Sequence, residues 1–209
     1  MKKESVNKII TITIFAIAMG FLESVVVVYL RKIFYAGGFG FPLKGFTEPS
    51  IIGIEWIREI ATIVMLITIS MLVAKKFYER LSYFIYAFAV WDIFYYIFLK
   101  ILLNWPESFF TWDVLFLIPW SWAAPVLAPV LCVLLMMVTA LFMINLIDKD
   151  VKTKIKTKPL EILLVVLGIF IVLYTWLYDY GKIILNKGAI ENYIPYYYNR
   201  RGLQEIPPE

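Results

Sequence analysis

Five long apolar runs, each bounded by polar or charged residues, dominate the chain: Ile9 to Leu30, Ile51 to Ala74, Leu81 to Leu103, Trp120 to Ile147, and Leu160 to Leu177. A helix rises about 1.5 Å per residue, so about 20 apolar residues cross a hydrocarbon core about 30 Å thick. The pattern therefore predicts spanning helices over 9–30, 51–74, 81–103, 120–147 and 160–177. Between the third and fourth runs, WPESFFTWDVLFLIP (Trp105 to Pro119) is too short to cross and is bounded by Pro106 and Pro119. Backbone at membrane depth must be helical or covered by protein, which predicts a re-entrant or interfacial half-helix over about 107–118. The end of the chain, IENYIPYYYNRRGLQEIPPE, is too polar and proline-rich to span. The expected fold is all-α, a transmembrane helix bundle of five spanning helices plus one half-helix within 1–184, followed by an extracytoplasmic tail over 185–209.

Composition supports the same class. Of 209 residues 62% are hydrophobic, where soluble domains carry about 45 to 50%. Lys2, Lys3 and Lys8 followed by Ala16-Ile17-Ala18 raise the alternative of a cleaved signal peptide. The apolar run continues twelve residues past Ala18, so a retained span is expected. The chain has no histidine. That excludes haem or metal bound through imidazole, Ser-His-Asp and Cys-His nucleophiles, and a histidine proton relay. The single cysteine, Cys132, has no disulfide partner in the chain. No cofactor is expected, although a cation on oxygen ligands stays open.

Orientation follows from Lys and Arg near the ends of the spans. Eleven lie at the N-terminus and after the second and fourth spans; eight lie on the other side, in the first loop, near Lys100 and in the tail. The expected placement is a bacterial-type cytoplasmic membrane with the N-terminus cytoplasmic and the C-terminus outside. The net charge of +4 suits flanks attracted to anionic lipid, and no nucleic-acid partner is implied. Six of seven tryptophans then fall near the outer side. An aromatic belt accounts for such placement. Four of them crowd into Trp105 to Trp122, which reads better as a lid or cavity wall.

Ionisable residues within spans are expensive and usually face a bundle interior, paired or functional. Glu55, Arg58 and Glu59 stand at i, i+3 and i+4, on one face of the second span. Asp92, Tyr95, Tyr96 and Lys100 make a second stripe on the third span, and Glu23 lies in the outer part of the first. Four acids (Glu23, Glu55, Glu59, Asp92) against two cations (Arg58, Lys100) leave two surplus negatives. A low-dielectric interior requires protons or another cation to balance them. Arg31 folding back, an oxygen-bound metal ion, or an organic amine against Trp and Tyr faces would each serve. The competing account is that these charges only pin helices together.

Pro125 and Pro129 lie one turn apart in the fourth run, which would kink a helix there and free the carbonyls of Ser121 and Pro125. Gly20 and Ala123-Ala124 permit close helix approach. The first loop, YAGGFGFPLKG, lacks the residues and context of a phosphate or dinucleotide loop. Tyr178-Asp179 is similar to one element of intramembrane aspartyl proteases, but the GxGD partner is absent. The likeness to vitamin-binding membrane subunits of uptake systems is one of size and architecture. The blocks EWIREIATIVML (55–66), AVWDIFYYIFLKILLNWP (89–106) and WDVLFLIPWSWAAPVLAPVL (112–131) resemble segments of small bacterial polytopic integral-membrane proteins to which no activity is assigned. That resemblance covers about a quarter of the chain and brings no reaction with it.

Three function classes follow. The first is a binding protein, with or without a transport role, whose outward-facing pocket of Glu23, Glu55, Arg58, Glu59, Asp92, Tyr96, Lys100, Asp113 and Trp120 takes a small cationic or zwitterionic ligand. The second is a structural or assembly subunit whose polar stripes bind another protein's helices. The third is an enzyme using a carboxylate pair on a lipid-soluble substrate. Five spans without a repeat make a poor alternating-access machine, so besides the lipid bilayer the expected partners are a second copy or a partner membrane subunit.

Overall fold

A computed structural model describes residues 1–34, 49–116, 122–149 and 158–185. The elements run α1 (Lys3–Phe34), α2 (Pro49–Val73), α3 (Phe77–Leu103), β1 (Trp112–Phe116), β2 (Trp122–Pro125), α4 (Leu127–Lys149) and α5 (Pro159–Leu185). All five helices are long and apolar enough to cross a membrane by length and composition. The fold is mostly helical, as the apolar runs predict, with one addition.

That addition corrects the half-helix. The segment after α3 turns through residues 104–111 and then forms a two-stranded antiparallel hairpin, with Trp112 opposite Pro125, Asp113 opposite Ala124 and Val114 opposite Ala123. Val114 with the aromatic residues Trp112 and Phe116 suits a pleated surface better than a helix. Two prolines explain the rest. Pro125 closes the ladder, where its missing N–H costs nothing, and Pro129 sits in the first turn of α4, where N–H groups have no intrahelical acceptor. The expected kink in a helix starting at residue 120 therefore does not arise; α4 begins at Leu127. Two strands alone are marginal, and this pair is fastened to the preceding turn: the Val126 and Leu127 N–H groups donate to the carbonyls of Thr111 (2.9 Å) and Phe109 (2.8 Å).

α3 is the hub, packing most extensively against α1, then α4, then α2. The shared core joins Ile12, Ala16 and Met19 of α1, Leu66 of α2, Tyr83, Ala87, Val90 and Trp91 of α3, and Ala140 and Ile144 of α4. Small residues bring α1 and α3 together. A Cβ placed on Gly20 would lie 2.8 Å from the Trp91 carbonyl oxygen, so only glycine fits that crossing. One turn later Ser24 Oγ lies 2.7 Å from the Gly20 carbonyl and 3.0 Å from that of Tyr95, bridging the same two helices. α5 is different. Its apolar side chains are exposed along the span, and it meets the rest chiefly through β2, with Trp176 and Trp122 rings 6.2 Å apart.

Alternating chain direction puts the starts of α1 and α3 and the ends of α2 and α4 at one end of the bundle, the near end. The far end holds the ends of α1 and α3, the starts of α2 and α4, and the hairpin. Of the tail, residues 186–209 lie outside the described residues, as does the first loop, 35–48.

Candidate functional site

The charges predicted to share one cavity form two adjoining clusters at the far end. The first is built on the i, i+3, i+4 face of α2. Arg58 Nε donates to Glu55 Oε2 at 2.7 Å, and Arg58 Nη1 donates across to Glu23 Oε2 on α1. Thr62 Oγ1 donates to the other Glu23 oxygen, Oε1. Both oxygens of Glu23 are thus held by α2. Glu59 is buried on the same face within electrostatic reach of Arg58. All three glutamates are buried, and the Arg58 side chain remains 25% exposed. Thr62 was absent from the sequence candidates, yet it stands one turn beyond Arg58 on the stripe already identified.

The second cluster lies where α1, α3 and the hairpin meet. Asp113, 2% exposed, projects from β1; its Oδ1 lies 3.5 Å from Arg31 Nη2, and its Oδ2 accepts the Tyr96 hydroxyl at 3.1 Å. The Arg31 guanidinium also stacks on Trp105, 3.7 Å from the ring centroid. Burial pushes the Asp113 carboxyl up to about 6, against the downward pull of Arg31. Asp92, one turn before Tyr96, completes the group, with Oδ2 shut off from solvent and no hydrogen-bond donor among the described residues. Tyr95 lies within electrostatic reach of Asp113, Arg31, Asp92 and Glu23, and so links the clusters.

Lys100 does not join them. It is exposed and donates to the carbonyls of Asn104 (3.3 Å) and Pro106 (2.9 Å), closing the C-terminal end of α3 where Asn104 takes the left-handed conformation. A helix C-terminus attracts a cation because its carbonyls are unsatisfied. Arg31, the fold-back candidate, is the cation that meets Asp113. Trp120 lies outside the described residues.

The charge count changes accordingly. Glu23, Glu55, Glu59, Asp92 and Asp113 are five acids against Arg58 and Arg31, which leaves three formal negatives among the described residues. No three of the described His, Cys, Asp and Glu side chains gather as metal ligands would. Chemically the arrangement can exchange protons and bind cations, and its two guanidiniums can meet an anionic group. No protein-family model, curated protein or solved structure matches the chain.

Proposed function

We propose that this chain is an integral membrane protein that binds a small cationic or zwitterionic ligand at the far end of the bundle. The observation that carries the reading is an acid-rich far end: four buried carboxyl groups and the half-buried Asp92 stand with Arg58 and Arg31 among the described residues, and Asp92 Oδ2 has no hydrogen-bond donor there. Sheltered carboxylates are costly, so a bundle that needed only fastening would do better with matched pairs or apolar contacts. The Tyr95 and Tyr96 rings supply aromatic surface for an organic cation, while Trp105 already carries the Arg31 guanidinium. A transport role would draw on a second copy or a partner subunit.

The test is calorimetric titration of the purified protein with choline and ethanolamine against their uncharged analogues. Amines are expected to bind, with Asp92→Asn or Glu59→Gln weakening them roughly tenfold or more, the worth of one charge-assisted hydrogen bond. Equal behaviour of amines and neutral analogues would defeat the reading. A second reading, an assembly subunit, draws support from α5, whose exposed length offers a helix face to another chain. Lipid covers such a face equally well, so that reading requires intermolecular cross-links formed through α5.

A further inference from the structure

One group in the far-end clusters is served by neither guanidinium. The half-buried Asp92 carboxyl sits in α3 with Oδ2 closed off from solvent and without a donor among the described residues. Asp113 on β1, Tyr95 and Tyr96 on its own helix and Cys132 on α4 lie within its electrostatic reach. The charges of the neighbouring helices are engaged elsewhere. From α1, Arg31 turns to Asp113 and Trp105, while Glu23 turns to Arg58 and Thr62. From α2, Glu55 holds Arg58 and Glu59 lies beside it.

A carboxylate in these surroundings would be a half-buried anion with one oxygen closed to solvent, near a second acid and with no cation paired to it among the described residues. Desolvation and a like charge both disfavour that state, and either a proton or an incoming cation relieves it. A multivalent metal fits poorly, since it needs several oxygen ligands and no three acids converge among the described residues. We propose that Asp92 is held as the neutral acid and that a small organic ammonium exchanges for its proton. The balance is simple: R–NH3+ docks against the carboxylate, the O–H bond of the acid breaks, and one proton leaves to solvent for each ligand bound. The total charge of the enclosed cluster is the same before and after. The exchange rests on the binding function proposed above, and it adds a coupling to pH that binding alone does not require.

Infrared difference spectroscopy on the full chain with isotope-labelled aspartate reads the acid directly. At neutral pH the carbonyl band of a protonated aspartic acid is expected, lost in Asp92→Asn and kept in Asp113→Asn. Adding ethanolamine should remove the band and acidify a weakly buffered sample by about one proton per ligand bound, a release absent from Asp92→Asn. Should Asp92→Asn fail to assemble, the wild-type band and its response to ethanolamine still decide the matter. Absence of the band, with or without ethanolamine binding, overturns the inference. Binding of ethanolamine that leaves band and pH unchanged overturns the exchange and spares the binding function. A band present with no binding of ethanolamine or choline brings down the binding function, and the exchange with it.

Discussion

The two ends of the bundle use ionisable residues in opposite ways. At the near end, Lys8 pairs with Glu4 (3.0 Å) and Glu79 (3.2 Å), and Asp148 accepts the Lys2 N–H at 2.7 Å and the Ser5 hydroxyl at 2.6 Å. These contacts tie the start of α1 to α3 and to the end of α4, with Lys8 and Glu79 half-buried and Glu4 exposed. At the far end Glu23, Glu55, Glu59 and Asp113 are buried, the acids outnumber the cations among the described residues, and long-range contacts join α1, α2, α3 and the hairpin. Exposed pairs fasten helices at little cost. Enclosed, unbalanced ones work against stability unless something else balances them, so the far end is the place to look for a ligand.

The largest effect should come from Arg58→Met. It strands Glu23 and Glu55 without their guanidinium, and breaking a buried pair from one side costs about 3 to 5 kcal/mol. Partial exposure of Arg58 argues for the lower part of that range. The measurement is chemical unfolding in detergent. The triple change Arg58→Met, Glu23→Gln and Glu55→Gln should restore much of the loss. If Arg58→Met alone is neutral, the far end is as solvated as the near end and the contrast between them disappears.

Next comes Gly20→Ala. The new methyl would meet the Trp91 carbonyl at 2.8 Å and the Tyr95 N at 3.2 Å, both backbone atoms that cannot step aside. Overpacking of this kind costs about 1 to 3 kcal/mol. It should also loosen the α1–α3 crossing that sets Glu23 and Arg31 against their partners, lowering amine affinity together with stability. An equal change at Gly53, where a Cβ meets nothing within 4 Å, should be silent or slightly stabilising.

The hairpin's contribution is visible in pH dependence. Asp113 lies at about 6 when folded, above its ordinary value of 3.8. The folded protein therefore holds its proton more tightly than the unfolded chain between those values, and stability falls as pH rises from about 4 through about 6. Asp113→Asn should flatten that slope in unfolding titrations. Tyr96→Phe, which removes the hydroxyl donating to Asp113 Oδ2, should cost about 1 kcal/mol and push the midpoint of the slope higher.

How much of this was legible beforehand depends on the length of the pattern. Five apolar runs announce five helices because a membrane imposes a length, and the i, i+3, i+4 charges of α2 show their shared face directly. Trp112 to Pro125 misled for a physical reason: a short apolar run bounded by prolines satisfies a half-helix and a hairpin equally, and only pairing across sequence decides. Lys100 misled similarly. Its spacing on α3 placed it on the Asp92 stripe, but a long flexible side chain in the last turn is drawn to the free carbonyls at Asn104 and Pro106. Arg31 could be named as a candidate from charge balance, yet its acceptor, Asp113, depended on the hairpin that periodicity hid.

The smallest expected effect closes the comparison. Lys8→Met removes both near-end ion pairs at once, and two of the three groups, Lys8 and Glu79, have side chains 22% exposed while Glu4 is 78% exposed. Solvent-accessible pairs are worth about 0 to 1 kcal/mol, and the aliphatic part of the Lys8 side chain is largely kept in Met. Unfolding should shift by no more than that, and the shift should vanish in high salt, where such pairs are screened. Amine binding should be untouched, because α1 remains fixed at Gly20, Ser24 and Glu23. A Lys8→Met loss as large as that of Arg58→Met would mean that the burial of the acids is not what separates the two ends.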